Sequence, residues 1–216
     1  KYCPGTQKQV INMLLNITAL TKTYTIPGKL IIALNTVDLT FSENSFTCIV
    51  GKSGCGKTTL LRLLSGLEPA TSGTIDYGKA DKIGFVFQEP RLMPWLTVNA
   101  NIAFAAKNDP SLPAAPDEKL LELLGLKAFQ HSFPAQLSGG MAQRTALGRT
   151  LFQNPDLILM DEPFSALDYF TRRSLQQMLL NLFQQQKKSV IFVTHDVEEA
   201  LLLGQRILVM QEGRMK

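Results

Sequence analysis

The feature that most constrains this chain is a glycine-rich stretch held between two apolar runs. Phe46–Val50 precedes it and the leucine-rich residues 60–64 follow it. Together they read as strand, turn and helix, and the stretch fits the pattern of a glycine, four residues and then Gly-Lys-Ser/Thr. Its members are Gly51, Lys52, Ser53, Gly54, Cys55, Gly56, Lys57, Thr58 and Thr59. The pattern predicts a phosphate-binding loop.

Each residue type in this loop has a physical purpose. Glycines 51, 54 and 56 can take positive φ, which lets successive N–H groups point inward and wrap a polyphosphate. The following helix directs its unpaired N–H groups and positive dipole end at the same anion. Lys57 is predicted to lie against the β- and γ-phosphates, and the Thr58 hydroxyl to hold Mg²⁺. The alternative is a chance glycine turn before a helix, but every fixed position of the pattern is present. The sequence therefore predicts binding of a nucleoside triphosphate.

Length and composition limit the remaining classes. The chain has 216 residues, of which 45% are hydrophobic and 19% charged, so it suits one large α/β domain or two small subdomains and not a disordered tail. Its net charge of +4 is mildly basic, but the Lys and Arg residues form no run, so nucleic acid is not expected as a partner. No apolar run approaches the roughly 18 residues of a spanning helix, and no signal peptide is evident.

The order of elements predicts an α/β fold. Strand-like runs at 14–24 and 30–41, separated by Pro27-Gly28, predict a β-rich N-terminal part. Continuous apolar runs at 157–160 and 189–194 predict parallel strands buried on both faces. Residues from about 90 to 135 are predicted to form a helical insertion. With the helix that follows Ser138, this helical part extends to about residue 153, and the nucleotide-binding core is predicted at 14–89 and 154–216, all within one domain of residues 1–216.

Polar side chains follow several of these strands. Asp161 and Glu162 end the run at 157–160, where ligands bind in open α/β sheets. Asp161 is predicted to hold Mg²⁺ through water, and Glu162 to polarise the water that attacks the γ-phosphate. Gln88 either senses the metal and attacking water or is a strand-end amide bonded to backbone. His195 either bonds the γ-phosphate region or is structural, and its position at a strand end favours function.

Two side chains near the loop have alternative interpretations. Tyr24 could stack on an adenine base, or its ring could simply pack in a strand. Cys55, at a helix N-terminus, could have enhanced thiolate character, although an inert packed thiol is the simpler alternative. With Cys3 and Cys48 it forms neither a metal-type pair nor a disulfide framework.

The motifs together resemble the ATP-binding cassette ATPases. The phosphate loop, Gln88, residues 137–144 (Leu-Ser-Gly-Gly-Met-Ala-Gln-Arg), residues 157–162 and His195 stand in that family's order, from about residue 14 to residue 213. The resemblance implies a P-loop NTPase core with a parallel sheet flanked by helices, an N-terminal antiparallel β subdomain and an inserted helical subdomain. It also implies that ATP and Mg²⁺ are the cofactors, and that Lys57, Gln88, Glu162 and His195 are catalytic. Thr58, Gln88 and Asp161 are then the metal-binding residues. Tyr24 falls near the sequence position at which the family has its adenine-stacking aromatic residue.

The same resemblance implies partners. ATP bound by residues 51–59 of one copy is closed over by Ser138, Gly139 and Gly140 of a second, head-to-tail copy. The family's dimer-contact loop corresponds to Ser165, Ala166, Leu167 and Asp168. The expected contact with membrane permease subunits is the loop formed by Glu89, Pro90, Arg91, Leu92, Met93, Pro94 and Trp95.

Within the family, residues 87–98 and 138–141 look like those of nitrate, sulfonate and taurine importers. This implies an ATPase on the cytoplasmic face of the cell membrane that drives uptake of a small oxyanion or sulfonate, with a solute-binding protein as a further partner. The alternatives are a soluble cassette that clamps nucleic acid or ribosomes, and a regulatory subunit that binds ATP without hydrolysing it well. Asn44 and Gln205 depart from the glycine and aspartate usual at their positions.

Overall fold

A computed structural model describes residues 12–186 and 188–216. The strands are β1 (Met13–Ile26), β2 (Lys29–Ser42), β3 (Phe46–Val50), β4 (Ser72–Asp76), β5 (Ile83–Val86), β6 (Leu157–Asp161), β7 (Ser189–Thr194), β8 (Arg206–Gln211) and β9 (Arg214–Met215). The α-helices are α1 (Lys57–Leu64), α2 (Val98–Ile102), α3 (Glu118–Leu123), α4 (Gly139–Phe152), α5 (Tyr169–Gln186) and α6 (Val197–Leu203). Short 3₁₀ helices cover Ala103–Asn108, Lys127–Phe129 and Pro134–Gln136.

The strands form two sheets. One has the antiparallel order β2-β1-β4, and the other the order β5-β6-β7-β3-β8-β9. In the second sheet β5, β6, β7, β3 and β8 are parallel to their neighbours, whereas β9 pairs antiparallel with β8. The predicted fold class is therefore confirmed, and the antiparallel edge strand β9 is a feature that the sequence did not predict.

Alternation along the central strands divides the core in two. Ile158 and Met160 of β6 pack in one cluster with Phe192, while Leu157 and Leu159 face the opposite cluster with α1. All these side chains are buried, and each contributes about 1.5–3 kcal/mol through removal from water. Burial on both faces explains why these strands read as unbroken apolar runs.

Local capping fixes where the helices begin. The side chains of Thr97, Asp117 and Ser138 accept hydrogen bonds from backbone N–H groups in the first turns of α2, α3 and α4 respectively. Thr, Asp and Ser are residue types that commonly cap helix N-termini. Asn44 takes φ +52° in the turn before β3, which is the left-handed conformation that glycine or asparagine accommodates most easily. No helix among the described residues is both long and apolar enough to cross a bilayer.

Candidate nucleotide site

The phosphate loop joins β3 to α1 and uses its glycines in two different ways. Gly54 and Gly56 have φ of +78° and +112°, as predicted. Gly51 does not lie in the left-handed region, so the prediction of positive φ at that position is wrong. A Cβ there would collide with the Met210 carbonyl oxygen at the end of β8. Gly51 is thus required by close backbone approach, whereas Gly56 meets both requirements, because its Cβ would strike the Ala33 carbonyl oxygen.

A cavity of about 330 Å³ opens along this loop. It is lined by Tyr24, Ile31, Ile32, Ala33, Ser53, Gly54, Gly56, Lys57, Thr58, Thr59, Gln88 and Glu162. The apolar side chains come from the β1–β2 hairpin, and the polar ones from the loop and the ends of the parallel strands. The cavity therefore has one apolar flank and one strongly polar flank, as a base joined to a polyphosphate requires.

Lys57 occupies the centre of the polar flank. Its side chain is only 4% exposed, and Nζ donates to the carbonyl oxygens of Gly51 at 2.8 Å and Lys52 at 3.1 Å. The same atom lies 3.5 Å from Oε1 of Glu162. A buried ammonium held in this way is a fixed positive charge at the mouth of a helix N-terminus.

Thr58 and Asp161 form an oxygen pair beside it. The Thr58 hydroxyl donates to Oδ1 of Asp161 at 3.0 Å. Burial raises the pKa of the Asp161 carboxyl above its usual range, and nearby Glu162 raises that pKa further. The bond from Thr58 and the charges of Arg62 and Lys57 oppose this rise.

Glu162, His195 and Gln88 share one hydrogen-bonded network. Oε2 of Glu162 lies 2.7 Å from Nδ1 of His195. The Glu162 backbone has φ +44°, which is strained for a residue with a side chain. Ser165 connects the third member, because its hydroxyl donates to the Glu162 carbonyl oxygen at 3.0 Å and accepts from Nε2 of Gln88 at 3.1 Å. Gln88 thus bonds a side-chain hydroxyl in this structure.

Ser138, Gly139 and Gly140 lie elsewhere. Ser138 and Gly139 are exposed, and none of the three is among the described residues that line the cavity. A Cβ on Gly140 would collide with the Thr171 side chain, so this corner packs closely against the start of α5. The predicted dimer-contact loop lies just before that helix, with Ala166 and Asp168 exposed.

Hydrogen bonds with Asn101 and Arg149 fix the backbone of the predicted permease loop. Trp95 is 69% exposed, whereas Asn101 of α2 is fully buried. Oδ1 of Asn101 accepts from the Met93 N–H at 2.8 Å. Its Nδ2 donates to the carbonyl oxygens of Met93, Leu96 and Thr97 at 2.9–3.1 Å. Arg149 of α4 donates to the carbonyl oxygens of Pro90 at 2.9 Å and Arg91 at 3.0 Å.

Sequence reasoning missed three residues that organise these sites. Asn101 lies one turn beyond Val98 on the buried face of α2, and a polar residue at apolar spacing was the available signal. Gln143 is almost fully buried and donates from Nε2 to the Phe87 carbonyl oxygen at 3.1 Å, joining α4 to the strand end that bears Gln88. Glu68 accepts a hydrogen bond from the Tyr24 hydroxyl at 2.6 Å, and nothing in its local pattern predicts that contact.

Comparison with known proteins agrees with this geometry. The sequence pattern of the ABC transporter family matches residues 34–165. The chain is 44% identical over 187 residues to "Aliphatic sulfonates import ATP-binding protein SsuB 2" of Burkholderia cenocepacia, covering 82% of this chain and 67% of that protein. It is 47% identical over 177 residues to "Aliphatic sulfonates import ATP-binding protein SsuB 1" of Pseudomonas savastanoi pv. phaseolicola, covering 82% and 73%.

Solved structures are similar as well. The dimeric post-hydrolysis structure of the ATP-binding cassette MJ0796 bound to ADP and Pi superposes with a TM-score of 0.82 at 33% identity, covering 94% of this chain and 96% of that one. The family match spans more than half of the chain. This chain therefore belongs to the ABC transporter family and is one of its ATP-binding cassette ATPases.

Proposed function

We propose that this chain is the ATP-hydrolysing subunit of an importer for a small oxyanion or sulfonate. The observation that carries the ATPase chemistry is the network in which Lys57 and Glu162, both lining the cavity, are joined and Glu162 is bonded to His195. The direction and class of transport are supported by the relatives named for aliphatic sulfonate import. In this proposal the chain is one domain, with its core at 14–89 and 154–216 and its helical part at about 90–153.

The phosphate loop binds the triphosphate through its backbone N–H groups. Lys57 neutralises charge on the β- and γ-phosphates, and its bonds to the Gly51 and Lys52 carbonyl oxygens hold Nζ at the loop. Ile31 and Ile32 flank the base, which stacks on Tyr24. The Glu162 carboxylate accepts a proton from the attacking water, and His195, bonded to that carboxylate, holds it in place.

The oxygen donors at the strand end fit Mg²⁺. Thr58 and Asp161 supply a hydroxyl and a carboxylate 3.0 Å apart, and Gln88, which lines the cavity with Thr58, supplies an amide oxygen. Among the described residues no group of three or more His, Cys, Asp or Glu side chains converges on a metal position. Mg²⁺ is usually bound by one or two carboxylates together with substrate phosphates. Bound there, Mg²⁺ supplies charge neutralisation at the β- and γ-phosphates.

Two copies assemble head to tail in this proposal. The exposed corner at Ser138 and Gly139 lies outside the lining of its own cavity, so it is free to donate to the γ-phosphate held by the other copy. Residues 165–168 lie beside this corner, since Gly139 would place a Cβ 3.6 Å from Leu167. The triphosphate then binds the closed dimer more tightly than the open form, and hydrolysis removes this preference.

Dimer formation is tested with a hydrolysis-blocked chain. Glu162→Gln is expected to form a dimer in the presence of ATP, measured by sedimentation. Adding Gly139→Asp is expected to abolish that dimer. ATP binding by the monomer should persist, because a Cβ at Gly139 makes only ordinary contact, whereas a Cβ at Gly140 would collide with Thr171. ATP-loaded Glu162→Gln that stays monomeric at all concentrations overturns the head-to-tail arrangement.

Closure is passed to permease subunits at the cytoplasmic face of the membrane through residues 89–95. Exposure of Trp95 at 69% supports this contact. The test is co-purification of tagged chain with permease subunits from detergent-solubilised membranes, followed by identification of the permease and any solute-binding protein. Trp95→Ala is expected to weaken recovery, and Phe129→Ala, which truncates another exposed aromatic side chain, is expected to leave it unchanged. A chain that never accompanies a permease, yet is stimulated by nucleic acid, overturns the transport proposal.

A further inference from the structure

A cluster of four side chains lies behind the apolar flank of the nucleotide cavity. Glu68, in the turn between α1 and β4, accepts the Tyr24 hydroxyl at Oε2 over 2.6 Å. Its other oxygen, Oε1, accepts from Nη1 of Arg62 at 3.2 Å. The ammonium of Lys22 lies 3.6 Å from Oε2 of Glu68 and donates to the Pro69 carbonyl oxygen at 2.7 Å. Glu68 is therefore the shared partner of one phenol and two cations.

These contacts fix the orientation of the Tyr24 ring. Tyr24 is paired with Ile31 across the β1–β2 hairpin, so its backbone position is set by the sheet. The hydroxyl contact to Glu68 fixes the other end of the ring. Lys22 Nζ lies 5.0 Å from the ring centroid, so a base can stack only on the face that the ammonium does not cover. An aromatic ring held at both ends needs no further ordering when a base binds.

The protonation states agree with this arrangement. The hydrogen bond from Tyr24, with further help from Arg62 and Lys22, lowers the pKa of Glu68, so the carboxylate is ionised at neutral pH. Burial and the adjacent carboxylate raise the pKa of Tyr24, so its hydroxyl keeps the proton that it donates.

We propose that Glu68 is a positioning residue for the nucleotide base, which acts by holding the Tyr24 ring parallel to the base plane at the apolar flank. The inference rests on the proposed stacking of the base on Tyr24. Glu68 does not line the cavity among the described residues, so its effect on the nucleotide passes through the tyrosine. Glu68 therefore contributes to the binding affinity for the base and not to that for the phosphates.

Comparing two ligands tests this division. ATP and inorganic tripolyphosphate share the phosphate chain, but only ATP carries a base. Glu68→Ala is expected to raise the Kd for ATP about three- to tenfold, the size of one lost aromatic contact. The Kd for tripolyphosphate is expected to stay within about twofold, and in turnover KM should rise while kcat is unchanged. Equal weakening of both ligands, or no weakening of ATP, overturns the proposal.

Further variants separate positioning from folding. Tyr24→Phe keeps the ring but removes the hydroxyl, so it is expected to reproduce the Glu68→Ala effect, and the double variant should be no weaker than either one. Glu68→Gln keeps an acceptor and is expected to recover most of the affinity. Additive losses in the double variant contradict a shared action. Should Glu68→Ala not fold, Tyr24→Phe and Glu68→Gln carry the same comparison.

A matched control and a diagnostic variant complete the design. Glu43→Ala removes an ion pair to Lys79 from a side chain of similar exposure, 20% against 23% for Glu68, and should change neither Kd. Tyr24→Ala tests the stacking itself. If it leaves ATP binding unchanged, base stacking on Tyr24 is wrong and the Glu68 proposal falls with it. If Tyr24→Ala weakens ATP binding and Glu68→Ala does not, only the positioning role of Glu68 is lost.

Discussion

The Glu162 carboxylate and the His195 imidazole are hydrogen bonded at 2.7 Å, although the two residues end different parallel strands. The β6–β7 pairing brings them together, since Asp161 is in register with Val193 and the Glu162 N–H donates to the Val193 carbonyl oxygen at 2.9 Å. Sheet register therefore decides which two side chains form the proposed catalytic pair.

The first prediction concerns that pair. Glu162→Gln is expected to lower kcat about a hundred- to ten-thousandfold, because a neutral amide cannot accept a proton from water. The Kd for ATP should change little. Steady-state ATPase assays and equilibrium binding measure the two quantities. Retained turnover in this variant would remove Glu162 from its proposed role.

The second prediction compares two glycines with positive φ. Gly56→Ala combines backbone strain with a collision at the Ala33 carbonyl oxygen, and should lower the free energy of unfolding by about 2–4 kcal/mol. Gly28→Ala has φ of +76° but open space around the new Cβ, so it should cost only about 1 kcal/mol. Urea unfolding measures both. Equal costs would contradict the importance of close approach at Gly56.

The third prediction compares two asparagines in helix α2. Asn101→Ala removes every bond that the buried amide makes to residues 93–97, and is expected to cost about 2–4 kcal/mol. Asn99 has a buried Oδ1 with no hydrogen-bond partner, so Asn99→Ala should be close to neutral. Fluorescence of Trp95, the single tryptophan of the chain, should respond to Asn101→Ala and not to Asn99→Ala. Similar stability losses in the two variants would mean that the amide contacts do not order the loop.

The fourth prediction concerns pH and the buried thiol. Burial, together with the nearby Glu199 charge, raises the pKa of Cys48 from 9.0 to about 12. The pKa of Cys48 is higher in the folded chain than in the unfolded chain. Its contribution to the free energy of unfolding is therefore fully present below about pH 9 and is lost as pH rises toward 12.

Alkylation measures this shift directly. At pH 8 the folded chain holds about a thousandfold less Cys48 thiolate than the unfolded chain, so iodoacetamide should label Cys48 only after unfolding. Mass spectrometry of the Cys48 peptide, with and without urea, checks this. Rapid labelling of the folded chain would contradict the burial of this thiol.

The sequence was informative wherever local pattern determines structure. Neighbouring residues specify the helix caps at Thr97 and Asp117 and the glycine-rich loop. They also specify β6 and β7, which are buried along their whole length. The position of Asp161 and Glu162 at the ligand-binding edge of the sheet could be predicted as well, because the carboxyl ends of parallel strands meet at one sheet edge.

What the sequence did not predict depends on contacts between distant segments. Gly51 was expected to take positive φ, yet the Met210 carbonyl oxygen, far along the chain, is what excludes a side chain there. The Tyr24–Glu68 bond and the Gln143–Phe87 bond likewise join segments 44 and 56 residues apart. The Gln205 side chain accepts from the Phe46 N–H at 3.1 Å, which explains how an amide can stand where an aspartate is usual.

Helix α4 is attached to the segment after β5 at two separate levels. Gln143 binds the Phe87 carbonyl oxygen near the start of the helix, and Arg149 binds those of Pro90 and Arg91 two turns later. A helix of this length spans about 21 Å and bends little. Helix α4 and the segment after β5 therefore move as one rigid unit. A rotation of the helix that displaces Ser138 at its N-terminus must also displace the backbone that leads to Trp95.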